Sequence, residues 1–188
     1  MKKGLIIGCT SLLLLSAVCV LVVACSNANS TVNKEAAKPW AEAVITGTKA
    51  DTAVTGTVKF TQTGTRVKMK LEILIPQLAN HTVAVHIHEH GDCGDAGKNT
   101  HGHWNPTNKK HGKWGSAEFH AGDIGNITLD AKGKGTYTLE STIWSIGGDV
   151  MTDILNKAII VHSGTDDYTS QPAGNAGSRI GCGLIVKK

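Results

Sequence analysis

The segment Val83-Ala84-Val85-His86-Ile87-His88 constrains the fold of this chain more tightly than any other. A period of two sends Val83, Val85 and Ile87 to one side of an extended backbone and both His86 and His88 to the other. The same alternation sets Val67, Met69, Leu71 and Ile73 against Lys68, Lys70 and Glu72. Strand-type composition recurs over 54–62, 124–130, 136–143, 158–162 and 181–186, and the turn Ala131-Lys132-Gly133-Lys134-Gly135 closes a hairpin. Seven or eight short antiparallel strands predict an all-β sandwich or barrel. Scattered rather than periodic glycines (22, against four prolines) exclude collagen, and 40% apolar residues exclude a disordered tail. A formal charge of +4, with no run of five like charges, leaves no footprint for nucleic acid.

The amino-terminal residues predict export. Met1-Lys2-Lys3 precedes an uncharged apolar stretch ending at Ala24, the pattern of a signal peptide over 1–24, with an uncleaved membrane anchor as the alternative. Val22-Val23-Ala24-Cys25 resembles the lipobox of bacterial lipoproteins, which implies lipidation of Cys25. Residues 25–39 are small and polar and read as a flexible tether, leaving 40–188 as one domain. Without Lys2 and Lys3 the basic residues number 17 against 15 acidic, a net charge of +2. Loss of Cys9 and Cys19 with the signal, and lipidation of Cys25, leaves Cys93 and Cys182, in an exported protein most simply a disulfide.

Histidine is concentrated beyond His86 and His88. His103 is followed by His111, His120 and Asp123, inside a glycine- and histidine-rich stretch over 90–122 that is too long to be mere connection. Three imidazoles and a carboxylate are a normal tetrahedral zinc set, and an all-imidazole set suits copper. His162, ending Ile159-Ile160-Val161-His162, reads by itself as an ordinary strand-end histidine.

The elements His86-Ile87-His88-Glu89, His103-Trp104-Asn105-Pro106, Lys110-His111-Gly112, His120-Ala121-Gly122-Asp123, Val161-His162 and residues 174–183 (GNAGSRIGCG) together resemble the copper,zinc superoxide dismutases of the bacterial exported type, over about residues 41–186. The resemblance implies an immunoglobulin-like Greek-key β-sandwich or barrel of about eight antiparallel strands with two long functional loops. It implies copper on His86, His88, His103 and His162, and zinc on His103, His111, His120 and Asp123. His103 is then shared, and couples proton delivery to electron transfer. Asp166 links a copper histidine to a zinc histidine, and Arg179 holds the superoxide anion. The Cys93–Cys182 disulfide fixes Arg179 relative to the copper histidines, and closing so long a loop contributes about 4 to 5 kcal/mol in chain-entropy terms.

The implied activity is disproportionation of superoxide to dioxygen and hydrogen peroxide, as antioxidant defence at a membrane facing the periplasm or cell exterior. The membrane is reached through the lipid on Cys25, and both a monomer and a homodimer stay open. The loop 163–178 carries no lysine, only Asp166 and Asp167, so attraction of the anion falls to Arg179, the metals and some of Lys98, Lys109, Lys110 and Lys113. His81, His90 and His101 have no role in the resemblance; His101, two residues before His103, reads as an exposed loop histidine, with loose binding of surplus metal as the alternative, and Trp104 and Trp114 read as packing for the long loop. The competing reading is a tethered copper or zinc storage or delivery protein. Storage needs no anion-binding arginine, which favours the enzyme.

Overall fold

A computed structural model describes residues 38–51 and 53–188. The expected signal peptide, Cys25 and all but the last two residues of the tether lie outside the described residues. The strands are β1 (Trp40–Gly47), β2 (Thr55–Thr63), β3 (Arg66–Leu74), β4 (Thr82–His88), β5 (Gly125–Thr128), β6 (Lys134–Ser141), β7 (Ala158–His162), β8 (Arg179–Leu184) and β9 (Val186–Lys187). They form one antiparallel sheet in the order β5-β4-β7-β8-β1-β2-β3-β6, with β9 extending β8 along β1. The sheet curls into a nearly closed eight-strand barrel, so of the two expected architectures the barrel is the one formed.

Alternation drives the closure. Val67, Met69, Leu71 and Ile73 of β3 are buried, while the residues between them are exposed. Their inward side chains meet Val58 and Phe60 of β2, Val83, Val85 and Ile87 of β4, and Trp144 in one apolar core. Strand β1 was not among the expected strands, although its Ala41, Ala43 and Ile45 point inward in the same way.

Strands β4 and β7 differ from β3 in being buried on both faces. The sequence predicts a half-buried β4, but two loops, 89–124 and 163–178, cover its second face. The first loop docks by backbone pairing where β5 leaves off: Ile87 N–H donates to Gly122 O at 2.9 Å, Trp104 N–H to Ile87 O at 2.8 Å, and Gly122 N–H to Trp104 O at 2.9 Å. A side chain at Gly122 would collide with the backbone of Ile87 and Trp104, so only glycine admits this approach. The Cys93–Cys182 disulfide ties the same loop to β8 across 89 residues, and Trp144 Nε1–H holds it through Ala121 O at 2.8 Å. Trp104 is buried in the core and Trp114 packs against it, as expected of loop packing.

Candidate metal centre

The outward face of β4 and the end of β7 form the floor of the site. His86 and His88 project from β4. A β-bridge between His88 and His103 brings the loop residue alongside, and a bulge between Val161 and His162 turns His162 toward the same place. His86, His88, His103 and His162 are all buried and present ligand atoms within 4.8 Å of one another. His103, His111, His120 and Asp123 form a second buried group of the same kind, so the two groups share His103.

Hydrogen bonds fix which nitrogen each ring offers. An imidazole facing a carboxylate or carbonyl oxygen donates its N–H there, leaving a lone pair on the other nitrogen. His86 Nε2 donates to Asp166 Oδ2 at 2.9 Å and His111 Nε2 to Asp166 Oδ1 at 2.9 Å. His88 Nδ1 donates to His101 O at 2.8 Å, His120 Nε2 to Lys109 O at 3.1 Å and His162 Nδ1 to Gly177 O at 3.3 Å. The opposite nitrogens, His86 Nδ1, His88 Nε2, His111 Nδ1, His120 Nδ1 and His162 Nε2, are buried without a hydrogen-bond partner, as is His103 Nε2. Buried nitrogens left unpaired are costly unless something else satisfies them. Six of them converging on two points fit two cations.

His103 stands apart, because its second nitrogen faces Asp123 Oδ1 at 2.8 Å, inside the other group. Asp123 is itself held by the backbone N–H groups of His120 at 2.8 Å and Gly112 at 3.1 Å. His111 Nδ1 and His120 Nδ1 approach its oxygens at 3.0 and 3.3 Å without hydrogen-bond alignment. Such an array suits zinc, which takes nitrogen and carboxylate oxygen tetrahedrally, while four imidazole nitrogens suit copper.

Asp166 lies between the groups, bonded to one histidine of each. Its loop is fastened by two amide clamps absent from the expected residues. Asn126 accepts from Asp166 N–H at 2.8 Å and donates to Asp166 O at 2.8 Å. Gln171 accepts from His111 N–H at 2.8 Å and donates to His111 O at 3.0 Å. Gly174, at φ +65°, passes so close to Asp166 and His111 Nε2 that a side chain there would displace them. No local pattern marks Asn126 or Gln171, whose partners lie 40 and 60 residues away.

Arg179 opens β8 opposite His162. The contacts its guanidinium makes are to the first loop. Nη1 donates to Gly97 O at 2.6 Å and Thr100 Oγ1 at 3.1 Å, and Nη2 to His101 O at 2.6 Å, so the guanidinium anchors the first loop beneath His88. Among the expected lysines, Lys98 pairs with Asp95 at 3.5 Å, and Lys113 lies over the Tyr168 ring. Lys109 and Lys110 line a cleft that reaches His103 and His120.

Burial dominates the electrostatics. It pushes His88 far below the ordinary imidazole range, with charge on His103, His162 and Arg179 adding to it. Burial also takes His162 down to about 3, and His103 to about 4 despite Asp123. Burial would lower His111 too, but Asp123 and Asp166 raise it to about 9. Burial would raise both carboxylates, yet their histidine contacts hold them well below the usual range.

These shifts predict a stability optimum for the metal-free protein. His103 and His162 lie below their unfolded value of 6.5, so their contribution is present above pH 6.5 and lost as pH falls toward 4 and 3. His111 lies above it, so its contribution is full below pH 6.5 and lost as pH rises through about 9. Urea midpoints of metal-free protein between pH 4 and 9 are expected to peak near 6.5 and fall on both sides. A midpoint still rising from pH 6.5 down to 4 would contradict the burial of neutral rings.

Comparison with known proteins agrees with this geometry. The family model described as copper/zinc superoxide dismutase matches residues 54–185. The chain is 39% identical over 129 residues to superoxide dismutase (Cu-Zn) 2 of Aquifex aeolicus, covering 66% of this chain and 74% of that one. It is 37% identical over 140 residues to the superoxide dismutase (Cu-Zn) of Paramecium bursaria Chlorella virus 1, covering 70% and 72%. The crystal structure of the clock protein EA4 superposes with a TM-score of 0.69 at 30% identity, over 79% of this chain and 94% of its own. With its barrel, its paired histidine groups and the family match over most of its length, the chain belongs to the copper/zinc superoxide dismutase family.

Proposed function

We infer that this chain disproportionates superoxide, two anions and two protons giving one dioxygen and one hydrogen peroxide. The observation that carries the reading is the pair of buried donor groups joined through His103, each histidine with one ring nitrogen unsatisfied and aimed inward. Copper held by His86, His88, His103 and His162 would supply one-electron chemistry in both directions, and zinc held by His103, His111, His120 and Asp123 a fixed positive charge without redox chemistry.

The chain's own residues do the rest. His103 is the one histidine with a nitrogen directed to each group, so its Nε2 can take up a proton on the copper side while Nδ1 stays held on the other. His86 and His111 cannot turn, because the two oxygens of Asp166 grip them from behind. Arg179 supplies a permanent positive charge beside His88 and His162, and its Nε–H and one Nη2–H have no partner among the described residues. Those two donors suit a small anion. The same guanidinium that attracts substrate therefore also stiffens the wall beside it.

Export and lipid anchoring at Cys25 belong to this proposal, supported by the apolar leader and Val22-Val23-Ala24-Cys25 and consistent with a disulfide, which persists in oxidising compartments. Mass spectrometry of the mature chain is expected to find lipid on Cys25 and none after Cys25→Ser; an unlipidated wild-type chain would remove this part of the proposal.

For the activity, pulse radiolysis of protein loaded with copper and zinc is expected to show rapid superoxide decay. Arg179→Ala should lower the rate constant about tenfold or more and flatten its ionic-strength dependence with metal content unchanged. His162→Ala should lose copper while keeping zinc. Undiminished turnover in Arg179→Ala would overturn the guidance role, and zinc loss instead of copper loss in His162→Ala would reverse the assignment of the two groups.

A further inference from the structure

Three histidines stay outside the two buried groups. His81 is occupied locally, its Nδ1 donating to Ala79 O at 2.9 Å. His90 and His101 are brought together by the fold. Beyond β4 the chain continues to pair irregularly with the first loop: Glu89 N–H donates to Gly102 O at 3.1 Å and His90 N–H to Thr100 O at 3.2 Å. This extension sets the His90 and His101 rings 4.5 Å apart at 79°, and Glu89, His90 and His101 each offer a donor atom within 4.8 Å of the others, all exposed.

The backbone at His101 adds a second observation. Its φ of 59° and ψ of −142° are a conformation that a side chain disfavours. Inward contacts hold it there, since His101 N–H donates to Lys98 O at 3.1 Å and its carbonyl accepts from His88 Nδ1 at 2.8 Å and Arg179 Nη2 at 2.6 Å. With its backbone pinned to the buried centre, the imidazole of His101 is left facing His90 on the outer surface.

We propose that Glu89, His90 and His101 form a third cation site, exposed at the surface, that takes a borderline divalent ion of the zinc class with water completing its coordination. Two imidazoles and one carboxylate are the three-ligand set of an open zinc site. Calcium and magnesium, which take oxygen ligands, do not suit it. Exposure makes the site weaker than the buried pair and leaves it filled only at higher free metal. The ion would lie on the outer side of the residue whose carbonyl holds His88 and Arg179, so the segment under the buried centre carries donors on both of its surfaces. The proposal is independent of what the buried groups catalyse.

The test is calorimetric titration of zinc sulfate at neutral pH into protein whose two buried groups are already filled. One further equivalent is expected, at micromolar affinity, weakened about tenfold or more by His90→Ala and by His101→Gly and unchanged by His81→Ala. Glycine at 101 accepts the positive φ, so that variant removes the donor without disturbing the backbone. Absence of a further equivalent, or one that both variants leave undiminished, would overturn the site.

Discussion

Six buried imidazole nitrogens without a hydrogen-bond partner are the constraint around which the rest of the molecule is arranged. Each unsatisfied lone pair is unfavourable away from water, and for His88, His103 and His162 burial also opposes protonation. What makes the arrangement tolerable is that the opposite nitrogen of every ring is occupied, five of them by an oxygen behind the ring and that of His103 by Asp123. The barrel supplies a rigid floor through β4 and β7, and the two loops supply both the remaining donors and the oxygens that orient them.

The loops are long but not loose. The first is held by backbone pairing at Ile87, by the disulfide to Cys182 and by the guanidinium of Arg179. The second is held by Asp166, with the side-chain amides of Asn126 and Gln171 clasping backbone groups on either side of the interface. Because Asp166 bonds both His86 and His111, a change in one group is transmitted to the other through a carboxylate as well as through His103. Arg179 joins the same system, because its anchoring contacts end on the carbonyl that orients His88.

Much of this was legible in the sequence wherever a short-range pattern carried it. Alternation in β3 and β4 located the strands and put His86 and His88 on one face, the run His103, His111, His120 and Asp123 read as a zinc set, and His162 joined the other group only through the resemblance to the family. Strand β1 escaped because its inward residues are mostly alanine while Val44 points outward at 59% exposure, which inverts the usual contrast of large apolar inside and small or polar outside. Alternation predicts an open second face for β4, and it is buried instead because its cover comes from loops whose pairing has no periodicity. Asn126 and Gln171 act on backbone groups distant in sequence, and an amide side chain carries no mark of such a partner. The meeting of Glu89 and His90 with His101 likewise depends on how the first loop folds back along β4, which no spacing reveals.

The central claim is that one ring, His103, faces both groups and joins them electronically. Filling both with copper(II) and recording the electron paramagnetic resonance spectrum tests it directly, since unpaired electrons on two ions sharing one imidazole interact through the ring. The account predicts a coupled pair whose low-temperature signal falls well below that of two isolated copper(II) ions. Two independent signals of full intensity would contradict it.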